Sequence, residues 1–189
     1  MRRTPAAQGI PEWARVARSK WRYTGKERPA FASVPADGEE SVWDFPRPPA
    51  IEVVRAEVRV CLGSVAIART RRCLRVLETG NPPTYYLPAE DVERGLLRPE
   101  TGISRCEWKG EAQYFGLETD DEQRRHAAWR YPSPFPEFER LRDHFSFYPG
   151  VVDCFLDSVR ALAQPGGFYG GWITPRLVGP FQGEPGAGL

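Results

Sequence analysis

Nineteen prolines and eighteen glycines are spread through this 189-residue chain, roughly one position in five. Residues that turn or stiffen the backbone so often exclude long helices and favour many short elements joined by turns. Between these breaks the apolar residues alternate. Val54, Ala56, Val58 and Val60 are separated by Arg55, Glu57 and Arg59, a period of two that marks a half-buried strand starting at Glu52. Leu62-Gly63-Ser64 then turns the chain, residues 65–69 read as the return strand and residues 72–78 as a third. Thr79-Gly80-Asn81-Pro82-Pro83 is turn chemistry, followed by a short aromatic strand at 84–87. Residues 88–97 predict one short helix, with Glu90, Asp91 and Glu93 placed favourably against its N-terminal dipole. Residues 103–108 and 111–117 form a hairpin about a two-residue loop, Lys109-Gly110. That register sets Trp108 opposite Glu111 and Cys106 opposite Gln113. Residues 127–131, 145–148 and 151–156 complete the strands, with a helical turn over 137–142. The fold class is all-β with few short helices.

A core at 51–157 is flanked by two irregular arms, 1–50 and 158–189, too rich in proline and glycine to fold alone. They are expected to wrap the core, with Trp43 and Trp172 as anchors. Residues 1–28 carry eight basic and two acidic side chains, so a formal charge of +1 conceals an acidic remainder. Trp13, Trp21 and Tyr23 lie among the basic residues, a pattern able to track a phosphate backbone and stack on bases. An acidic body opposes a polyanion, so these rings are expected to pack back on the domain, and nucleic acid is not the expected partner. No apolar run reaches the ~20 residues of a membrane helix, and no apolar stretch follows the two arginines at the start. These features predict a cytoplasmic protein without a membrane partner.

Chemistry concentrates in Cys106-Glu107-Trp108-Lys109-Gly110-Glu111. Lys20 and Lys26 lie in the basic arm, and every other basic residue after position 27 is arginine, so Lys109 is the only amine of the body. At a hairpin tip a lysine is ordinarily solvated. A lone amine among arginines also suits a point-charge contact to an anionic ligand. Tyr85, Tyr86, Trp108, Trp129 and Tyr131 are candidates to line a pocket, with Lys109 and Glu111 as its polar contacts. Candidate catalytic residues are Cys106, a thiol that Lys109 would have to activate, together with Lys109, Glu111 and Glu78. Cys106 and Lys109, three apart on a strand, are expected on opposite faces. The four cysteines are widely spaced and none lies close to a histidine, which argues against zinc and against disulfides.

The succession Val76-Leu77-Glu78, Pro82-Pro83-Thr84-Tyr85-Tyr86-Leu87-Pro88-Ala89-Glu90-Asp91-Val92, Cys106-Glu107-Trp108-Lys109-Gly110-Glu111-Ala112-Gln113-Tyr114, Ala128-Trp129-Arg130-Tyr131-Pro132 and Phe147-Tyr148-Pro149 resembles the family called domain of unknown function 427, over residues 52–157. The flanks resemble its longer actinobacterial form. The resemblance implies a β-tent-like fold, two antiparallel sheets meeting at an angle, a group that includes the methionine-R-sulfoxide reductases and the ligand-binding domain of cereblon. Many of those relatives hold zinc through paired C-x-x-C motifs. This chain has none, so neither a metal nor a cofactor is expected. The family has carried a nucleotidyltransferase-like label, yet no Gly-rich phosphate loop and no paired Asp motif for Mg²⁺ stands here. Three functions follow as expectations: a small-molecule domain, its ligand a nucleotide or another anionic or aromatic compound, bound beside Lys109; an enzyme using the same cleft through Cys106 or Lys109; and nucleic-acid binding through residues 1–28.

Overall fold

A computed structural model describes residues 9–185 and 187. Among the described residues, fifteen strands and one α-helix make up the regular structure, with four short 3-10 segments, so the all-β expectation holds. The larger sheet has seven strands in the spatial order β2 (Ala50–Val53), β5 (Leu74–Glu78), β6 (Asn81–Pro88), β10 (His144–Phe147), β9 (Gln123–Arg130), β8 (Gly110–Glu118) and β7 (Leu97–Cys106). The smaller sheet has four, β12 (Val159–Arg160), β11 (Asp153–Leu156), β3 (Val58–Leu62) and β4 (Val65–Thr70). Every pairing in both is antiparallel.

The alternating segment is not one strand. Val54 N–H still bonds the Cys73 carbonyl on the β5 side, whereas the Glu57 carbonyl accepts from Asp157 N–H and its own N–H donates to the Asp157 carboxylate. Over these few residues the backbone leaves one sheet and joins the other. Val54, Val58 and Val60 nevertheless all reach the same core. Alternation records which side of a strand is buried, not which strand lies beside it.

That core lies between the two sheets. Val58, Val60, Ile67 and Cys154 from the smaller sheet meet Tyr85, Leu87, Phe115, Leu117, Phe145 and Phe147 from the larger. The opposite face of the larger sheet carries a second cluster, Leu74, Val76, Tyr86, Ala112 and Trp129, with Trp108, Tyr131, Phe138, Leu141 and Tyr148. Both faces of the seven-stranded sheet are thus covered, the second by the terminal segments together with the 3-10 segment Pro136–Leu141. On the N-terminal side, α1 (Glu12–Arg18) and the strand β1 (Glu40–Ser41) stand where only irregular chain was expected. Glu12 in the first turn and Arg15 and Arg18 in the last match the helix dipole, a signal available in the sequence. On the C-terminal side β13 (Leu162–Ala163) pairs with β14 (Trp172–Ile173), and β15 (Leu177–Val178) runs parallel to β1. Trp43 and Trp172 are both fully buried. Trp43 Nε1 donates to the Pro180 carbonyl at 2.7 Å and Trp172 Nε1 to the Phe147 carbonyl at 2.9 Å.

Two further expectations need correction. Residues 88–97 hold two 3-10 turns, Ala89–Asp91 and Arg94–Leu96, in place of a helix. Between them Val92 bridges Ala68 and Glu93 N–H bonds the Ile67 carbonyl, so pairing with β4 overrides local helical propensity. Asp91 and Glu90 serve Arg72 instead of a helix dipole. Asn81-Pro82-Pro83 is strand, not turn. Proline is tolerated there because β10 pairs with β6 only at Leu87 and Pro88, and the β5 register slips between Val76 and Glu78.

Burial of Trp172 gives a test of how firmly the C-terminal segment is attached. Trp172→Ala is expected to cost about 3–5 kcal/mol in urea unfolding, the usual loss for a fully buried large aromatic. Val34→Ala, at a side chain 77% exposed, should stay within about 0.5 kcal/mol. Equal midpoints for the two variants would mean that the segment contributes nothing to the cooperative unit.

Candidate functional site

Side chains of successive strand residues point to opposite faces. Tyr86 therefore shares its face with Thr84 and with Val76 on the neighbouring strand, while Tyr85 faces the inter-sheet core, 4.8 Å from the Trp172 ring. The same alternation places Ser104 and Cys106 of β7, Tyr114 of β8 and Trp129 of β9 on the Tyr86 side, because Ser104 pairs with Ala112 and Tyr114 with Trp129. These residues floor a cavity of about 290 Å³. Its roof comes from the arms: Trp21 from the N-terminal side, Gln164, Phe168, Tyr169 and Gln182 from the C-terminal side.

Lys109 enters this cavity from an unexpected direction. The hairpin loop has three residues, Glu107-Trp108-Lys109, and Cys106 pairs with Gly110, not Gln113. Gly110 lies at φ +103°, the left-handed geometry that lets such a loop rejoin its strand. All three loop carbonyls are held from outside. Arg18 Nε donates to the Glu107 carbonyl at 2.7 Å and Arg18 Nη2 to the Trp108 carbonyl at 3.4 Å, while Phe135 N–H donates to the Lys109 carbonyl at 3.2 Å. The loop thereby folds Lys109 back over the sheet, with only 9% of its side chain exposed. The solvated tip and the separation of thiol from amine, both expected from a two-residue turn, are overturned.

Beside the ammonium stands Glu78, whose Oε2 lies 3.5 Å from Lys109 Nζ and whose Oε1 lies 3.2 Å from Arg47 Nη2. Arg47 is buried, donates also to the Tyr23 and Thr79 carbonyls, and stacks 3.7 Å from the Trp21 ring centroid. Trp21 Nε1 in turn donates to Glu107 Oε1 at 2.7 Å. Burial by itself would lower the Lys109 pKa, but Cys106, Glu78 and Tyr86 outweigh it and hold the ammonium above its ordinary value. Burial raises the Cys106 thiol, against the pull of Lys109. At neutral pH the pair is thus a protonated thiol beside a protonated amine, and the anion that faces the ammonium there is the Glu78 carboxylate.

Of the candidates, Glu78, Tyr86, Cys106, Lys109, Trp129 and Tyr131 converge on the cavity. Tyr85, Trp108 and Glu111 do not line it. Trp108, itself a loop residue, is buried with the Arg18 guanidinium 4.8 Å from its ring, and Glu111 is directed outward to Arg105 at 3.1 Å. Tyr114, Tyr148, Trp21, Tyr169 and Gln182 were missed. Parity with Trp129 would have found Tyr114 once the β8–β9 register was known, but residues from the arms carry no such signal. The basic arm's aromatics are also accounted for: Trp21 roofs the cavity, Tyr23 packs on Trp43 at 5.4 Å, and Trp13 packs on Phe135 at 6.2 Å. Residues 1–8 of that arm lie outside the described residues. Among the described residues no cluster of three His, Cys, Asp or Glu side chains is placed to hold a metal ion, and no helix is long and apolar enough to cross a membrane.

The strap that carries Phe168 and Tyr169 is fixed at one end. A Cβ on Gly170 would come within 2.1 Å of the Trp129 ring, and one on Gly171 within 2.3 Å of Gln164 Oε1. Both glycines are required by close approach, not by backbone angle.

Residues 50–158 match the model of a family described as domain of unknown function (DUF427), more than half of the chain, and the chain belongs to that family. No curated protein matches it.

Reactivity of Cys106 tests the geometry of the loop. With its pKa raised, the thiolate fraction at neutral pH lies below that of a free cysteine, so alkylation should be slower than for the free amino acid. Arg18→Met removes the bonds to two loop carbonyls and should cost about 1–3 kcal/mol. It should also speed Cys106 labelling as the loop opens. Peptide-mapped mass spectrometry reads both rates, and fast labelling in the unsubstituted protein would contradict the half-buried placement of the thiol beside Lys109.

Proposed function

We propose that this member of the family is a small-molecule-binding protein whose ligand occupies the cavity between the Tyr86 face of the large sheet and the two arms. The observation that carries the reading is convergence. Aromatic rings from β6, β8, β9 and both arms meet around one pair, the buried Lys109 and the half-buried Glu78, and the Tyr86 hydroxyl makes no hydrogen bond among the described residues. A cavity of about 290 Å³ sits at the lower end of the usual ligand-pocket range, roughly 300–1,000 Å³. A concave, mostly apolar enclosure with a few polar groups is the common form of such sites.

The two catalytic readings draw less support. A thiol nucleophile must be a thiolate, and a lysine nucleophile or base must be neutral. Both groups here are pushed the other way. Lys109 instead serves as a fixed cation and hydrogen-bond donor on the cavity wall.

A thermal-shift screen of aromatic metabolites tests binding. A ligand at 100 times its dissociation constant adds about 2.7 kcal/mol, or roughly 5–10 °C for a chain of this length. That shift should disappear in Thr84→Phe, which places a ring in the cavity, and shrink in Lys109→Met. It should persist in Glu111→Gln, outside the cavity. A shift of equal size in all three variants would place the ligand elsewhere.

A further inference from the structure

The charges around the cavity cancel. Arg47 and Lys109 contribute two cations, Glu78 and Glu107 two carboxylates, and each is engaged: Arg47 and Lys109 with Glu78, and Glu107 with Trp21 Nε1. Arg105, at the rim, is turned outward to Glu111. No cation is left over for a phosphate chain, and no carboxylate for an ammonium. A charged ligand would bring into a desolvated site a charge with no counterpart, at a cost of several kcal/mol.

Two polar atoms on residues that line the cavity have no hydrogen-bond partner among the described residues; neither exposes surface to the cavity, so a small side-chain rotation must present it to a ligand. The Tyr86 hydroxyl, on a residue 1% exposed, makes no hydrogen bond, and neither does Gln182 Oε1, on a residue 8% exposed. The Gln182 amide nitrogen is occupied, donating to the Tyr169 hydroxyl at 2.8 Å, and that bond orients the oxygen. Gln182 Oε1 can only accept, so it calls for an N–H or O–H on the ligand. The Tyr86 hydroxyl can donate to a ligand oxygen or ring nitrogen. An unpaired buried polar atom costs about 1–3 kcal/mol, which a complementary ligand would recover. Much of the remaining lining is aromatic: Trp21, Tyr86, Tyr114, Trp129, Tyr148 and Tyr169 all border the cavity.

We infer that the ligand is an uncharged, planar heteroaromatic compound carrying at least one N–H or O–H donor and one acceptor, about one or two fused rings in size, recognised by Gln182 and Tyr86 at its polar edge. This rests on the binding reading above and narrows it: phosphorylated nucleotides and aromatic carboxylates are excluded as preferred ligands. Lys109 acts as a donor whose charge Glu78 already balances, not as an anion-binding site.

Matched probes that differ only in charge provide the test, with affinities from titration calorimetry. Nicotinamide, nicotinate and 1-methylnicotinamide, which is quaternised at the ring nitrogen, share one ring and are neutral, anionic and cationic. Adenine, adenosine and adenosine triphosphate make a second series, beside a library of other heteroaromatics sorted by charge. Neutral compounds should bind at least tenfold more tightly than their charged counterparts, with affinity unchanged between low and high salt. Tyr86→Phe should weaken that binding about tenfold while leaving the unfolding midpoint unchanged or higher, because the hydroxyl it removes has no partner. If only anionic or cationic compounds bind, or affinity falls steeply with salt, the neutral-ligand assignment is overturned and the pocket reading stands. If no compound of any class binds, both fall.

Discussion

The Glu78 carboxylate, held between Arg47 and Lys109, is the contact on which the arrangement of the site depends. It is only 17% exposed, and its two partners are buried more deeply still. Arg47 belongs to the N-terminal segment, Glu78 ends β5 and Lys109 closes the β7–β8 loop, so one carboxylate ties three distant parts of the chain together. Such groups gain little net stability, since desolvation consumes most of the Coulombic attraction, but losing one partner typically costs about 3–5 kcal/mol because a charge is left uncompensated. The contact therefore acts chiefly on specificity. Alternative placements of the loop or of the arm would strand a buried ion, and the energetic penalty selects this one.

From that contact the rest of the enclosure follows in order. Arg47 lies flat against Trp21, which fixes the ring that bonds Glu107. Glu107 opens the loop that Arg18 holds by its carbonyls, and the loop returns Lys109 to Glu78. The circuit closes on itself, with the N-terminal residues Arg18, Trp21 and Arg47 at three of its points. The arm is thus part of the site's wall and part of the restraint on its one amine. Its basic character, which alone suggests a polyanion partner, is partly spent on contacts within the chain: Arg18 on the loop and Glu137, Arg28 on Asp44.

Local chemistry made the strands legible and left the partners obscure. Alternation at 54–60 identifies the buried side correctly across a break in the ladder, because the hydrophobic requirement is the same whichever sheet the backbone joins. The change of sheet is set by Cys73 and Asp157, residues that periodicity does not connect to this segment. The apparent helix at 88–97 failed for the same reason, since β4 captured Val92 and Glu93. At the site, the error over Tyr85 and Tyr86 was avoidable: adjacent residues of one strand cannot both face one cavity. The loop was not avoidable. Two- and three-residue connections both accept Gly110, and only the external hold by Arg18 and Phe135 decides between them.

A seven-stranded sheet buried on both faces has two surfaces and, here, two different uses for them. On the side facing the smaller sheet, Leu87, Leu117 and Phe147 pack without polar interruption. On the other side the covering layer is not a second sheet but the Pro136–Leu141 turn and two arms rich in proline and glycine, which cannot interdigitate with the strands as densely as a pleated surface would. The space they leave is the cavity, and large rings are the side chains that border it. Gly170 and Gly171 bring the roof down until it touches Trp129 and Gln164, so the enclosure is limited in height by backbone contact at that end. Opposite them Phe168 is 64% exposed and Tyr169 38%, the large roof rings that remain in contact with solvent. Composition that excluded long helices at the outset thus also accounts for the site: chain too interrupted to form another layer can still roof one, and a roof of that kind encloses space.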